Sequence, residues 1–538
     1  MIKIRRCVWI AAAAMVLAGC GGRGQEGASG TGTPISPGVS EEGRAEASEP
    51  GDGGLPGGGG NGGESPGEQE NGEGSAGTEG TGTSSLQPRV GTKVPEAFLS
   101  EEERAGEIME GYEERVYRTA ENPMLGADGR VLRDNGGQGG VVQLRGTNAG
   151  GYLLQEFWMT TTKKTENVYA EDEIYAVLEE RFGKEAREGL VALYQDHYWT
   201  EADFDYCRDI GMNCIRLPVW YRNLVDENGE FYENWSERLD WFVEEAGRRG
   251  IYVILDMHGA PGSQNGSDHS GSDGRDEKEK ASRFFFGEDA QANQELYYRI
   301  WEGIAEHFRD NPWVAAYDLL NEPFGTYRYD SSLSADGLHS LLWDIYDKAY
   351  NRIRQIDKNH VIVMEATWDP VDLPDPADYG WENVMYEYHN YCWGDYDNLE
   401  GKQVEYIRGR LQQIRQADYN VPSFLGEFTF FNNLKAWEKA LVLVDDSGMS
   451  WTTWTYKVTE GNLYWGIRSQ KNADLNLETA SLEEIREAWS AVDQSKENSG
   501  LRGVLEMFYR RAFISAEEAR EDGQEPEEAR ENRQEPEK

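Results

Sequence analysis

Between about residues 141 and 512 the chain alternates two hydrophobic patterns. Short β-branched or aromatic runs are separated by longer stretches with helical period. The runs are Val141–Arg145, Cys214–Pro218, Tyr252–Met257, Val314–Asn321, Val361–Ala366, Val384–Tyr388, Ser423–Glu427 and Trp451–Tyr456. Short apolar runs of this kind read as strands covered on both faces, and their alternation with helices predicts a parallel sheet with crossover helices. The predicted helices include Glu237–Arg249, Gln291–Phe308, Leu338–Ile356 and Gln403–Ala417. Arg248-Arg249-Gly250 has the basic last turn and glycine of a helix end. Ala436–Val444 and Leu482–Ala491 are expected to be the last two barrel helices, with Leu501–Ala512 packed beside them. Eight strands with one helix each favour closure into a (β/α)8 barrel with enlarged loops over a doubly wound sheet. No glycine-rich phosphate loop follows the first strand, which argues against a dinucleotide fold.

The flanks read differently. Residues 20–90 are dominated by Gly, Ser, Glu, Thr and Pro and hold too little apolar surface to offset the entropy of ordering. They are expected to be a disordered linker, as are the acidic residues 516–538 a tail. That leaves 91–515 for the folded domain. Residues 1–19 read as a targeting segment, with Lys3, Arg5 and Arg6 ahead of the apolar stretch Val8–Val16. Leu17-Ala18-Gly19-Cys20 resembles the lipobox of bacterial lipoproteins, which implies lipidation of Cys20 and a membrane anchor at the outer face of the cell. A linker of about 70 residues would then span an r.m.s. distance on the order of 45–50 Å. Cys207, Cys214 and Cys392 give no disulfide framework and no zinc spacing. A formal net charge of −45 disfavours nucleic acid as a partner.

Polar residues gather where the strands end. Arg216 ends the second run, Asp256 and His258 the third, Asn321 and Glu322 the fourth, His389 and Tyr391 the sixth and Glu427 the seventh, while Trp454 lies on the eighth. The C-terminal ends of parallel barrel strands are where such a fold keeps its chemistry. Two carboxyl groups facing one bond are what glycoside hydrolysis needs, so Glu322 and Glu427 are the catalytic candidates. Asp205, Asp256 and Asp318 are expected to be structural.

These residues resemble those of glycoside hydrolase family 5, the cellulase-like clan of retaining barrels, from about residue 140 to 490. The resemblance implies that Glu322 is the acid/base and Glu427 the nucleophile, with Arg216, His258, Asn321, His389, Tyr391 and Trp454 around the scissile sugar. Two segments are similar to the exo-β-1,3-glucanase branch. In Leu144–Trp158, Tyr152 and Phe157 stand where that branch usually has Trp and Pro. His258–Gly266 is nearly the same as its third loop, but Ser267-Asp268-His269-Ser270-Gly271 follows where an aromatic and an Asn are usual. The helical segment Asp172–Thr200 resembles an insertion of the branch.

Chemistry accounts for these residue types. A retaining enzyme holds its carboxyls about 5–5.5 Å apart, so that one attacks while the other protonates the leaving oxygen. The acid is expected to have a raised pKa, and Arg216 to keep the nucleophile ionised. Tyr391 would orient Glu427, Asn321 would hold the 2-hydroxyl, and Trp454 would offer a face to the sugar. His258 and Glu156 would bind hydroxyls of the sugar, Asp268 and His269 lie near it, and Glu156 with the insertion would close one end of the cleft. The expected substrate is a β-glucan attacked from its non-reducing end, at β-1,3 linkages, by a monomer without a cofactor. Endo action on β-1,4 or β-1,6 bonds is the alternative, and a carbohydrate-binding lipoprotein without catalysis is another. His258, Asp268 and His269 could also meet at a metal, but no supporting motif accompanies them.

Overall fold

The computed structural model describes residues 122–272, 282–323, 335–367, 369–370, 372–393, 399–462, 465–471 and 474–510. Cys20, the targeting segment, the 20–90 linker and the 516–538 tail lie outside these residues. Eight parallel strands close a barrel in sequential order. They are β1 (Arg145–Asn148), β2 (Cys214–Trp220), β3 (Tyr252–Gly259), β4 (Val314–Asp318), β5 (Val361–Glu365), β6 (Val384–Asn390), β7 (Ser423–Phe428) and β8 (Ser450–Thr453). The seam pairs Trp451 with Arg145 and Thr453 with Thr147. Helices surround the strands, which gives the (β/α)8 architecture. Every β2 and β3 residue is buried, as a strand covered by helices outside and barrel packing inside must be.

Three local readings change. Val141–Val142 is not in the barrel. It completes a small antiparallel sheet with Gly126–Asp128 and Val131–Arg133. Leu125, Leu132 and Leu144 from this region pack with Cys214, Ile254, Val363 and Phe424 into a buried cluster near the starts of the barrel strands. The sheet is thus a plug at the N-terminal end, and the barrel strand starts at Arg145. Leu482–Trp489 is not a barrel helix either. It packs on Lys184–Tyr198, with the Tyr194 and Trp489 rings 5.3 Å apart. The eighth outer position belongs to Ser499–Tyr509, which lies against Leu434–Asp446 and Glu201–Ile210 and stacks Tyr509 on Trp451 at 5.2 Å. Trp454 follows β8 rather than lying on it.

The 172–200 segment folds as two helices, Glu171–Phe182 and Lys184–Tyr198, broken at Gly183 with φ +86°. It braces the loop after β1. Tyr194 donates to the Gly151 carbonyl at 2.6 Å, Tyr198 to the Gly150 carbonyl at 2.9 Å, and the Gln155 N–H to Glu171 Oε2 at 3.0 Å. Among the described residues no helix is long and apolar enough to cross a membrane. Cys207 and Cys214 are buried free thiols, and Cys392 is a half-buried one.

Candidate active site

One buried guanidinium organises the floor of the site. Arg216 points inward from β2 and is fully buried. Its Nη1 donates to Glu427 Oε1 at 2.9 Å and to Asn148 Oδ1 at 3.2 Å. Its Nε donates to Asp318 Oδ2 at 2.8 Å, and its Nη2 to Asn321 Oδ1 at 2.9 Å. Asp256 and Glu387 lie 3.1 and 3.3 Å from it. A guanidinium keeps its charge at any depth, and leaving it unpaired there would be very costly, so these acids are a condition of the fold. They are also more acids than one cation can neutralise. Burial pushes the carboxyls of Asp256, Asp318 and Glu365 well above the usual range despite Arg216, so protons make up part of the balance. Asp256 and Asp318 therefore shape the electrostatics of the site, whereas Asp205 pairs with Arg249 at 2.8 Å outside it. Gly426 has to be glycine: a Cβ there would come within 1.5 Å of Glu387 Oε1.

Glu427 stands at the end of β7 between two donors. Arg216 holds Oε1, and the Tyr391 hydroxyl donates to Oε2 at 2.8 Å. Its side chain is 5% exposed. Glu322 follows β4 in a left-handed conformation, φ +41°, that a side-chain-bearing residue adopts at a cost of about 1–3 kcal/mol. Two contacts hold it there: its N–H donates to Glu365 Oε2 at 2.6 Å, and its carbonyl accepts from Asn265 Nδ2 at 3.2 Å. Gln264 ties the neighbouring strand ends together by donating to the carbonyls of His258 and Asn321 at 2.7 and 2.8 Å. The Gln264-Asn265 pair of the third loop thus positions Glu322.

The Glu322 carboxyl sits between imidazoles. His389 Nδ1 lies 2.9 Å from Oε1, and His269 Nδ1 3.5 Å from Oε2. Burial pushes this carboxyl up, but the His389 hydrogen bond and the positive charges of His269 and His389 outweigh it and bring it down to about 2. The carboxyl expected to be raised at this position is lowered instead. His389 is shifted toward its charged form. Burial disfavours that charge, yet Glu365, Glu427, Glu322 and Glu387 together raise His389 well above the usual imidazole range. His258 is the opposite case. Burial drives it well below that range, its Nδ1 bonds Asp256 Oδ2 at 2.7 Å, and its ring stacks on Trp454 at 5.2 Å and 4°. It is a neutral, oriented imidazole. Its Nε2 lies 3.5 Å from Asn321 Nδ2.

The rim is built by the loops after β1 and β3. Glu156 accepts from the Trp158 indole at 2.8 Å, and burial lifts its carboxyl to about 7 against the charge of His269 and that indole hydrogen bond. Asp268 turns to Lys164 at 2.7 Å, so it anchors the rim. Next to Trp158 lies an aromatic wall not anticipated from the sequence. Trp465 is 5.1 Å from Trp158, 6.0 Å from Tyr391 and 5.9 Å from Trp393, which is 61% exposed. Rings placed this way offer flat faces beside the Glu427–Tyr391 pair.

Among the described residues two sets of ligand-type atoms cluster closely enough to hold a metal: Glu322, His389 and Glu427, and Glu365, Glu387 and His389. A cation there would compete with Arg216 and His389, which already occupy these carboxylates. The His258, Asp268 and His269 combination does not form one, because Asp268 faces Lys164.

In the first of these clusters an oxygen of Glu322 lies within 4.8 Å of one of Glu427. Two carboxyl groups converging at the C-terminal mouth of a closed parallel barrel define a glycosidase-type site. The model of the cellulase family, glycosyl hydrolase family 5, matches residues 180–460, and the chain belongs to that family. A beta-xylosidase of Phanerodontia chrysosporium is 32% identical over 257 residues, 47% of this chain and 49% of that protein. A glucan 1,3-beta-glucosidase of Candida oleophila is 28% identical over 271 residues, 48% and 60% of the two. A probable glucan endo-1,6-beta-glucosidase B of Aspergillus flavus is 24% identical over 366 residues, 61% and 86% of the two. The chain thus matches half to three fifths of the length of the first two relatives.

Proposed function

We propose that the protein is a retaining β-glycoside hydrolase of β-glucans, with Glu427 as nucleophile and Glu322 as acid/base. The separation of the two carboxyls carries this reading. Oxygens within 4.8 Å of each other suit the separation of about 5–5.5 Å that retaining enzymes use, whereas inverting enzymes keep their carboxyls about 6.5–9.5 Å apart. Arg216 and Tyr391 hold the two oxygens of Glu427 and aim it. Glu322 sits beside two titratable imidazoles, His389 at 2.9 Å and His269 at 3.5 Å, so an acid/base there has partners with which to exchange a proton. Proton NMR of the first-formed anomer tests this reading. Retention supports it, and an inverted first product overturns it.

Exo action on β-1,3 linkages belongs to the same proposal. It is supported by Glu156, by the helices that brace its loop, and by the resemblance to glucan 1,3-beta-glucosidases. Free glucose should be the first product from laminarin, with little early fall in polymer length. Early mixed oligosaccharides, or faster turnover of pustulan or carboxymethylcellulose, favour the endo alternatives. Tethering of a monomer through lipidated Cys20 is proposed from the sequence. Cys20→Ser should leave an unprocessed or released protein.

A further inference from the structure

We propose that His269 shares one proton with Glu322 across Oε2 and Nδ1, and so is a positioning residue that decides when the acid/base is armed. This rests on the reading of Glu322 as acid/base.

The two oxygens of Glu322 are not equivalent. Oε1 is taken by His389 at 2.9 Å, whereas among the described residues Oε2 meets the longer contact to His269, at 3.5 Å. The proton given to a leaving oxygen therefore belongs on Oε2, the atom His269 addresses. A protonated His269 opposes it there. A neutral His269 with its Nδ1 lone pair facing Oε2 accepts a hydrogen bond from the protonated carboxyl and stabilises it. The step balances within the pair. The Nδ1–H bond breaks as Oε2–H forms, Oε2 passes that proton to the departing sugar oxygen, and the water of the second half-reaction returns one to Oε2.

His269 has a fixed place from which to act. It lies in the single turn Asp268–Ser270, which the Asp268–Lys164 pair at 2.7 Å and the Ser263–Ser270 hydroxyl contact at 2.6 Å secure. Its ring meets that of His258 edge-on at 6.3 Å, and its side chain is 24% exposed, so solvent can exchange its proton. The charged groups that act on it are Glu322 after β4, Glu156 after β1, Glu427 on β7 and Asp268 of its own turn, and the titratable ring of His258 on β3 faces it in neutral form. Burial disfavours its charge, and the four carboxylates together overcome this and raise it.

Two measurements test the inference together. In ¹⁵N NMR of the folded protein, the imidazole titration of His269 should fall by about one pH unit in Glu322→Gln, which removes its main acidic partner. This readout needs no catalysis, so it separates the inference from the assigned reaction. An unmoved titration overturns the proton sharing. In kinetics, His269→Asn should move the alkaline limb of kcat/KM by a similar amount and slow oligosaccharides more than activated aryl glycosides. Superimposable pH profiles overturn the arming role. If the wild type cleaves no β-glycoside while the titration still moves, the reaction assignment fails and the coupling stands.

Discussion

The two carboxyls proposed as catalytic sit in opposite kinds of surroundings. Glu427 lies on a strand, 5% exposed, held by a guanidinium and a phenol that cannot change charge near neutral pH. Glu322 lies past the end of its strand, 25% exposed, between imidazoles that can. A nucleophile must be ionised throughout, so a permanent cation suits it. An acid/base must alternate, so titratable neighbours suit it. The floor of the barrel fixes one charge state, and the rim permits two.

The severest way to break this contrast is to remove the fixed charge. Arg216→Met leaves Glu427, Asp256, Asp318 and Glu387 without their shared cation. Removing one partner of a buried pair costs about 3–5 kcal/mol, so the variant should lose all turnover and melt at least about 5 °C lower by calorimetry. A normal melting temperature with intact activity would show that the guanidinium does not organise the floor. Next come the carboxyls themselves. Glu427→Ala should abolish turnover, and azide should rescue it with inverted stereochemistry. Glu322→Ala should lose about 10²–10⁴-fold on poor leaving groups but far less on activated aryl glycosides. Equal losses on both substrate types, with no azide effect, would sink the assignment of roles. Tyr391→Phe should fall between floor and rim. It deletes a hydrogen bond to a charged oxygen worth about 1.5–3 kcal/mol, so kcat should drop about tenfold to a hundredfold with the fold intact. An unchanged kcat would leave Arg216 alone as the orienting group.

The same contrast explains what could be read from the sequence. Glu322 and Glu427 are legible because each terminates an apolar run, a position that one periodicity defines. Glu365 and Glu387 lie within strands, and only closure of the barrel turns them onto Glu322 and Arg216. The first strand was misplaced for a related reason. Arg145-Gly146-Thr147-Asn148 looks polar, yet Arg145 pairs with Asp445 at 2.6 Å and Asn148 with the Gly426 carbonyl at 2.8 Å in the interior. Val141-Val142 looks like a barrel strand and serves the plug. Tertiary partners overrode local pattern in both cases. Residues 482–489 and 499–509 are both amphipathic, and nothing local says which of them covers the barrel. The rim was legible only as a departure from a familiar loop: His269 could be noticed, but its target on Glu322 Oε2 could not.

The gentlest test lies on the rim, at Glu156. Its carboxyl is lifted to about 7 by burial, against an ordinary value of 4.5. Between these two values the folded protein keeps a proton that the unfolded chain has lost. Stability conferred by this group therefore falls as pH rises through that window and is constant above it. A glutamine in its place stays neutral at every pH and still accepts from Trp158. Glu156→Gln should thus melt close to wild type at pH 5 and above it at pH 8. Solvent screening on the rim limits the gain to about 1–3 °C. A gain that is the same at both pH values would mean the carboxyl ionises normally. In that case the rim would carry its charge continuously, and the division between a fixed floor and a switching rim would rest on the imidazoles alone.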